Sequence, residues 1–322
     1  LGAFATADDE LGRAEAQLET LDQPATHERD WLADELLITR WSLAHFRDGG
    51  WAAMTAALAA PERPRPAGLL LAALRALGHA RSGDDTRARE LVTAVLEAAA
   101  QLPPLTLYRD AAMVVGIATA WEMGAAEYAA TSLALVGLAA QAGAGGQVEG
   151  TLELSRARLL GLAGQVDGAR AIFAEHRTSL TATGLRPLRA LCDHDEAIVI
   201  AAAGPRGYDQ TIHLLEAAAA QFAQLGMDGW LARVQQLMTR GLEEATKPGG
   251  RLSFTYPRGL SRHEADIVRL TAAGATPDEA AQTLGLARRA VDRLLASALA
   301  KLDGRQPDEL PNLARRYGLG GL

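Results

Sequence analysis

The residues best suited to chemistry stand near the C-terminal end, in LGLARRAVDRLLASALAKL, Leu284 to Leu302. If that stretch is a helix, Arg288, Arg289 and Arg293 lie in its first two turns. Guanidinium groups so placed suit phosphate oxygens and the guanine edge, which an arginine can engage with two hydrogen bonds. Asp292 stands among them, and a carboxylate there opposes an approaching phosphate. A second mixed stretch is CDHDE, Cys192 to Glu196. On a helix, Cys192 shares a face with Asp195 or Glu196, but a metal needs ligands from a partner segment as well. A buried free thiol is the ordinary reading of Cys192. No G-x-x-x-x-G-K-[ST], H-E-x-x-H or G-x-S-x-G occurs, and the seven histidines do not cluster at metal-ligand spacing. No enzyme, metal or cofactor is expected.

Charge confines any nucleic-acid contact to one end of the chain. The formal net charge is −7 over 322 residues, yet residues 258–322 hold ten Arg/Lys against eight Asp/Glu. The preceding body is therefore strongly acidic and will not adhere to nucleic acid by bulk charge. One cysteine allows no internal disulfide, and no long apolar run or secretory signal is seen, so a cytoplasmic protein without membrane contact is expected. The first residue is Leu1, which fits a processed chain or a piece of a larger one.

These residues need elements to position them. From the N-terminus to about Ala245 the apolar period is helical throughout, as in LLLAALRALGHARSG from Leu69, and prolines at 61–66 and 103–104 fall between helical runs. Turns recur at Gly83, Gly124, Gly164 and Gly204, 41, 40 and 40 residues apart, with another at Gly49. Each unit reads as helix, glycine turn, helix, with Ala88, Ala129 and Ala169 five positions after their glycines. Glycine suits the left-handed residue after a helix end, and alanine permits close helix approach. One pair cannot bury its apolar face alone, but a stack can. The expectation is an all-α protein whose residues 1–246 form a solenoid resembling tetratricopeptide repeats, with a concave surface for a protein or small-molecule effector. Trp41, Trp51, Trp121 and Trp230 are candidates for that contact, with core packing as the alternative.

After Lys247 the pattern changes. Residues 247–259, KPGGRLSFTYPRG, read as a linker, and residues 260–322 as a small domain of four short helices. The first opens on SRHE at Ser261–Glu264 and the second on TPDE at Thr276–Glu279, both capping boxes. They stop at Gly274 and Gly285. The third runs from about Ala287 to Leu302, burying Val291, Leu294, Leu295, Ala298 and Leu302 and leaving Arg288, Arg289, Arg293 and Ser297 outside. That plan is a helix-turn-helix whose second member enters the major groove.

Leu260 to about Leu310 resembles the LuxR-type helix-turn-helix at Leu260, Glu264, Leu270, Gly274, Glu279, Ala281, Leu284, Val291, Lys301 and Leu302. FAQLGMDGWLARVQQL, Phe222 to Leu237, is similar to the end of the helical-repeat region in large MalT-like (LAL) regulators of that family. The family commonly has threonine, lysine, histidine and isoleucine where this chain has Ala290, Asp292, Leu294 and Ala298; Lys301 and Arg305 help offset the aspartate. The resemblance implies a transcription regulator that binds double-stranded DNA, with Arg288, Arg289 and Arg293 on base edges or nearby phosphates, Ser297 beside them and Lys301 on a phosphate. It also implies a homodimer formed through the last helix, about Pro307 to Tyr317. The alternative is an interaction protein that uses a degenerate LuxR-like module for docking or dimerisation.

Overall fold

The computed structural model describes residues 4–20, 27–47, 49, 51–58, 67–144, 150–203, 207–240, 260, 262–284, 286–302, 304 and 306–316. Among these residues the regular structure is helical, with no strand, so the all-α expectation holds. The 247–259 linker, Gly204, Ser261, Gly285 and Arg305 lie outside the described residues. The chain divides into two compact units, residues 1–192 with 220–231, and residues 193–219 with 232–322.

The first unit opens with α1 (Phe4–Thr20), α2 (His27–Arg47) and α3 (Trp51–Ala57), followed by α4 (Gly68–Arg81), α5 (Asp85–Gln101), α6 (Arg109–Glu122), α7 (Ala129–Gln141), α8 (Leu152–Leu162) and α9 (Val166–Thr183). It also includes parts of α10 (Arg186–Ala202), α11 (Tyr208–Leu225) and α12 (Asp228–Arg240). Helix α4 packs on α5 and α6, α6 on α8, and α8 on α7 and α9. This places α6 at the centre, and its sequence suits the place: every residue from Arg109 to Ala120 is buried, as expected for a helix apolar on all sides. Gly116 lets α5 approach α6, since a β-carbon there would meet Leu96 at 3.1 Å. Ala88, Ala129 and Ala169 are buried at their helix starts.

Three of the five turn glycines behave as read. Gly83, Gly124 and Gly164 take φ of 82°, 63° and 72°, and behind each the next two-bond closure forms, for example Asp84 N–H to His79 O at 2.9 Å and Gly83 N–H to Ala80 O at 3.1 Å. A second series joins one pair to the next at Gly143, Gly184 and Gly226, with the same left-handed geometry. Its positions are not legible from the spacing of the first set. Asp84 and Thr151 cap α5 and α8 by accepting Arg87 N–H at 3.2 Å and Leu154 N–H at 3.0 Å.

Two of the tryptophans offered for ligand contact are core instead. Trp41 and Trp230 are buried, and Trp230 Nε1 donates to His45 O at 2.7 Å across 185 residues of chain. His45 stacks on Trp41 at 5.3 Å, and the Arg81 guanidinium lies 4.4 Å from the Trp230 ring and 5.5 Å from the Trp51 ring. Arg81 is buried, so its charge needs a counter-ion, and Glu122 supplies one at 3.0 Å. Trp51 and Trp121 are half-buried.

The second unit holds α13 (Arg262–Ala272), α14 (Pro277–Leu284), α15 (Arg288–Lys301) and α16 (Leu310–Arg316), the last preceded by a short turn of 3-10 helix at Pro307–Glu309. Helix α13 packs on α15, α16 and α14, and α14 packs on α15. Ile267, Val268, Ala280, Val291, Leu295, Ala298, Leu299, Leu302 and Leu310 fill the space between them. In the same unit Asp209, in the first turn of α11, accepts Arg269 Nε of α13 at 2.5 Å.

Candidate nucleic-acid interface

Helix α14 starts where the chain predicted. Thr276 N–H and Oγ1 both donate to Glu279 Oε2, at 2.7 and 2.8 Å, and Glu279 N–H donates back to Thr276 Oγ1 at 3.3 Å. The two bonds from Thr276 hold the Glu279 carboxyl below its ordinary range. Three residues, 285–287, then lead into α15, whose Val291, Leu295, Ala298 and Leu299 face the core. Leu294, expected in that stripe, is only half-buried. With Ala290, Arg293 and Ser297 it lines a hollow of about 410 Å³ along one flank of the helix. The helical phase puts Leu294 at the margin of the stripe, where the neighbour that would cover it is absent among the described residues.

The five residues assigned to DNA divide into two groups. Arg289 and Arg293 are exposed, and among the described residues no carboxylate forms an ion pair with either; Arg293 Nε donates only to Arg289 O at 3.3 Å. The other three serve the fold. Arg288 donates through Nη1 to Asp278 at 2.6 Å and through Nε to Asp292 at 3.0 Å, which bridges α14 to α15 and raises its already high pKa, the Asp278 bond foremost. Ser297 Oγ donates to Glu264 Oε1 at 2.5 Å and Lys301 Nζ to Glu264 Oε2 at 2.7 Å. Ser297 is therefore turned toward α13 rather than free on the outer face, and Lys301 neutralises a buried carboxylate before it can meet a phosphate. The reason is desolvation: Glu264 is almost wholly buried, and an uncompensated charge there would be costly.

Glu264 and Asp278 are the residues that sequence inspection did not place in this network. The sequence pairs Glu264 with Ser261 as a cap, yet both carboxylate oxygens are engaged by α15. The signal was the pairing of Ser297 and Lys301 one turn apart, two donors on one face. Asp292 pairs with Arg288, four residues earlier, the spacing that brings side chains together on a helix.

CDHDE forms no such site. Cys192 is buried and its Sγ lies 3.5 Å from Phe173 O, while His194 and Asp195 meet at 2.9 Å. Among the described residues no three His, Cys, Asp or Glu side chains converge as metal ligands, and no helix is long and apolar enough to cross a membrane.

No family model, characterised protein or solved structure matches this chain. The reading of the C-terminal unit thus rests on its own geometry and on the motif residues quoted above.

Proposed function

We propose that this protein is a DNA-binding transcription regulator: α14 and α15 form a helix-turn-helix on the scaffold of α13 and α16, and the repeated helix pairs of residues 1–246 form a tetratricopeptide-like solenoid that senses a protein or small-molecule effector. The observation that carries the reading is α15 itself. It begins three residues after a capped short helix and exposes Arg289 and Arg293 one turn apart, with Ala290 and Leu294 on the adjoining flank. Two arginines and two small or apolar side chains on adjoining faces match what a major groove offers: guanine acceptors and thymine methyl groups. In this reading Arg289 and Arg293 contact bases or adjacent phosphates, Ala290 and Leu294 lie against thymine methyls, and Arg288, Ser297 and Lys301 hold the helix at its angle. A two-fold dimer would place two such helices on a pseudo-palindrome.

A docking module is the second reading, and one observation favours it. Asp278 and Asp292 both pair with Arg288, so the start of α15 is less basic than its three arginines suggest.

Fluorescence anisotropy with duplex from the promoter region of the protein's own gene, at two salt concentrations, separates the two. A DNA reader making on the order of six phosphate contacts shows a log–log salt slope near −5. Arg289→Ala then costs about 1–3 kcal/mol of affinity. Binding that ignores both salt and Arg289 leaves the docking reading in place.

A further inference from the structure

The junction between α5 and α6 departs from the others. Where Gly143, Gly184 and Gly226 take the left-handed conformation elsewhere, here the chain runs Leu102, Pro103, Pro104, Leu105, Thr106, Leu107, Tyr108, and the left-handed positions fall on Leu105 (φ 66°) and Tyr108 (φ 62°). Each such non-glycine residue costs roughly 1–2 kcal/mol, and persists only where its surroundings over-determine it. They do. Leu105 N–H donates to Asp110 Oδ2 at 2.8 Å, Thr106 Oγ1 to Pro103 O at 2.7 Å and Arg109 N–H to Thr106 O at 2.9 Å. Asp110 is in turn buried against Arg109 at 2.5 Å, and Arg109 Nε is anchored on Ala99 O at 3.0 Å.

What this rigid loop displays is apolar. Leu105 and Leu107 are 61% and 69% exposed, the highest values among the large exposed apolar side chains described. Trp31 of α2, 43% exposed, joins them by donating through Nε1 to Tyr108 Oη at 3.0 Å, while that hydroxyl donates to Glu35. A hollow of about 320 Å³ opens between Leu105, Leu107, Tyr108 and Ala111. Residues 101–108 carry no charge, whereas α2 and the helix packed on it, α1, together carry nine carboxylates against four arginines, and seven against four once the buried Asp34 and the Tyr108-bound Glu35 are set aside.

We propose that the Leu105–Tyr108 loop with Trp31 is a docking surface for a basic amphipathic helix of a partner protein, whose apolar face covers Leu105 and Leu107 and whose lysines or arginines face the acidic α1 and α2. Two exposed leucines held in a strained, hydrogen-bonded loop form a preorganised contact, because little ordering remains to be done on binding. The acidic surround selects the sign of the partner's charge and speeds encounter. The surface belongs to the repeat helices alone, so it stands whether or not α15 reads DNA.

The test uses the full chain and a labelled synthetic amphipathic helix of leucine and lysine, with a leucine–glutamate helix as control, read by anisotropy. The lysine peptide is expected to bind wild type, to bind Leu105→Ser/Leu107→Ser at least about ten-fold more weakly, and to be indifferent to Arg289→Ala; the glutamate peptide does not bind. Leu107→Arg, a change at a side chain 69% exposed, should repel the lysine peptide as well. Equal binding to wild type and both loop variants, or no binding of the lysine peptide, overturns the proposal. So does sedimentation showing a wild-type dimer that the leucine changes dissolve, since the occupant would then be a second copy of this chain.

Discussion

Arg288 holds two carboxylates at once, and this changes what Asp292 means. A bare aspartate on α15 would repel phosphate, but here its charge is shared with the Arg288 bridge from α14. Removing the arginine alone exposes Asp278 and Asp292, whereas removing Arg288 and Asp292 together leaves the outer face with one carboxylate fewer. On the proposed DNA-reading function, Arg288→Ala is expected to weaken DNA binding, and Arg288→Ala/Asp292→Ala to restore it to wild-type strength or beyond. Anisotropy on the four members of this cycle measures the coupling. If Arg288 contacted DNA directly, the double variant would remain as weak as the single one.

At the scale of elements, two short segments carry strain or charge that can be read out. The α14 cap works only while Glu279 is ionised. Its folded pKa lies below the unfolded value, so its contribution is present above the unfolded carboxyl range and is lost as pH falls through the depressed folded pKa. Glu279→Gln keeps an acceptor but loses the charge, so it should lower the neutral-pH stability of the C-terminal unit and flatten its decline in acid, which amide exchange of α14 against pH would follow. The α5–α6 junction carries the opposite lesson. Leu105 sits at φ 66°, so Leu105→Gly removes a steric cost while adding backbone freedom to the unfolded chain. The net expected gain is up to about 1 kcal/mol, seen as a raised midpoint in urea. A loss of stability would mean that the leucine side chain packs against something its exposure does not reveal.

For the molecule as a whole, contacts distant in sequence decide what the repeats can offer. Trp230 closes on His45, Phe222 and Arg81, so α12 is anchored against α2 and α4 within the first unit. Trp230→Ala would leave a large cavity beside a buried guanidinium and is expected to cost about 3–5 kcal/mol, measured by chemical denaturation. Trp230→Phe keeps the ring contacts, loses the bond to His45 O, and should cost much less. An aromatic cluster so used is structural, which removes Trp41 and Trp230 from the residues open to a partner.

The local pattern of residues was sufficient for much of this architecture. Helical period, the glycines at 83, 124 and 164, the alanines that follow them, and the Thr276–Glu279 cap are all legible because each depends on neighbours within one or two turns. The bounds of α13 to α15 came within a residue or two for the same reason. Only tertiary structure decided the partners of Ser297, Lys301, Arg288 and Trp230, and the half-exposure of Leu294. A side chain's helical face says which way it points, but its counter-charge depends on which helix packs opposite and at what register. Arg288 and Arg289 look alike in sequence, and the placement of α14 alone makes one a structural bridge and leaves the other facing outward.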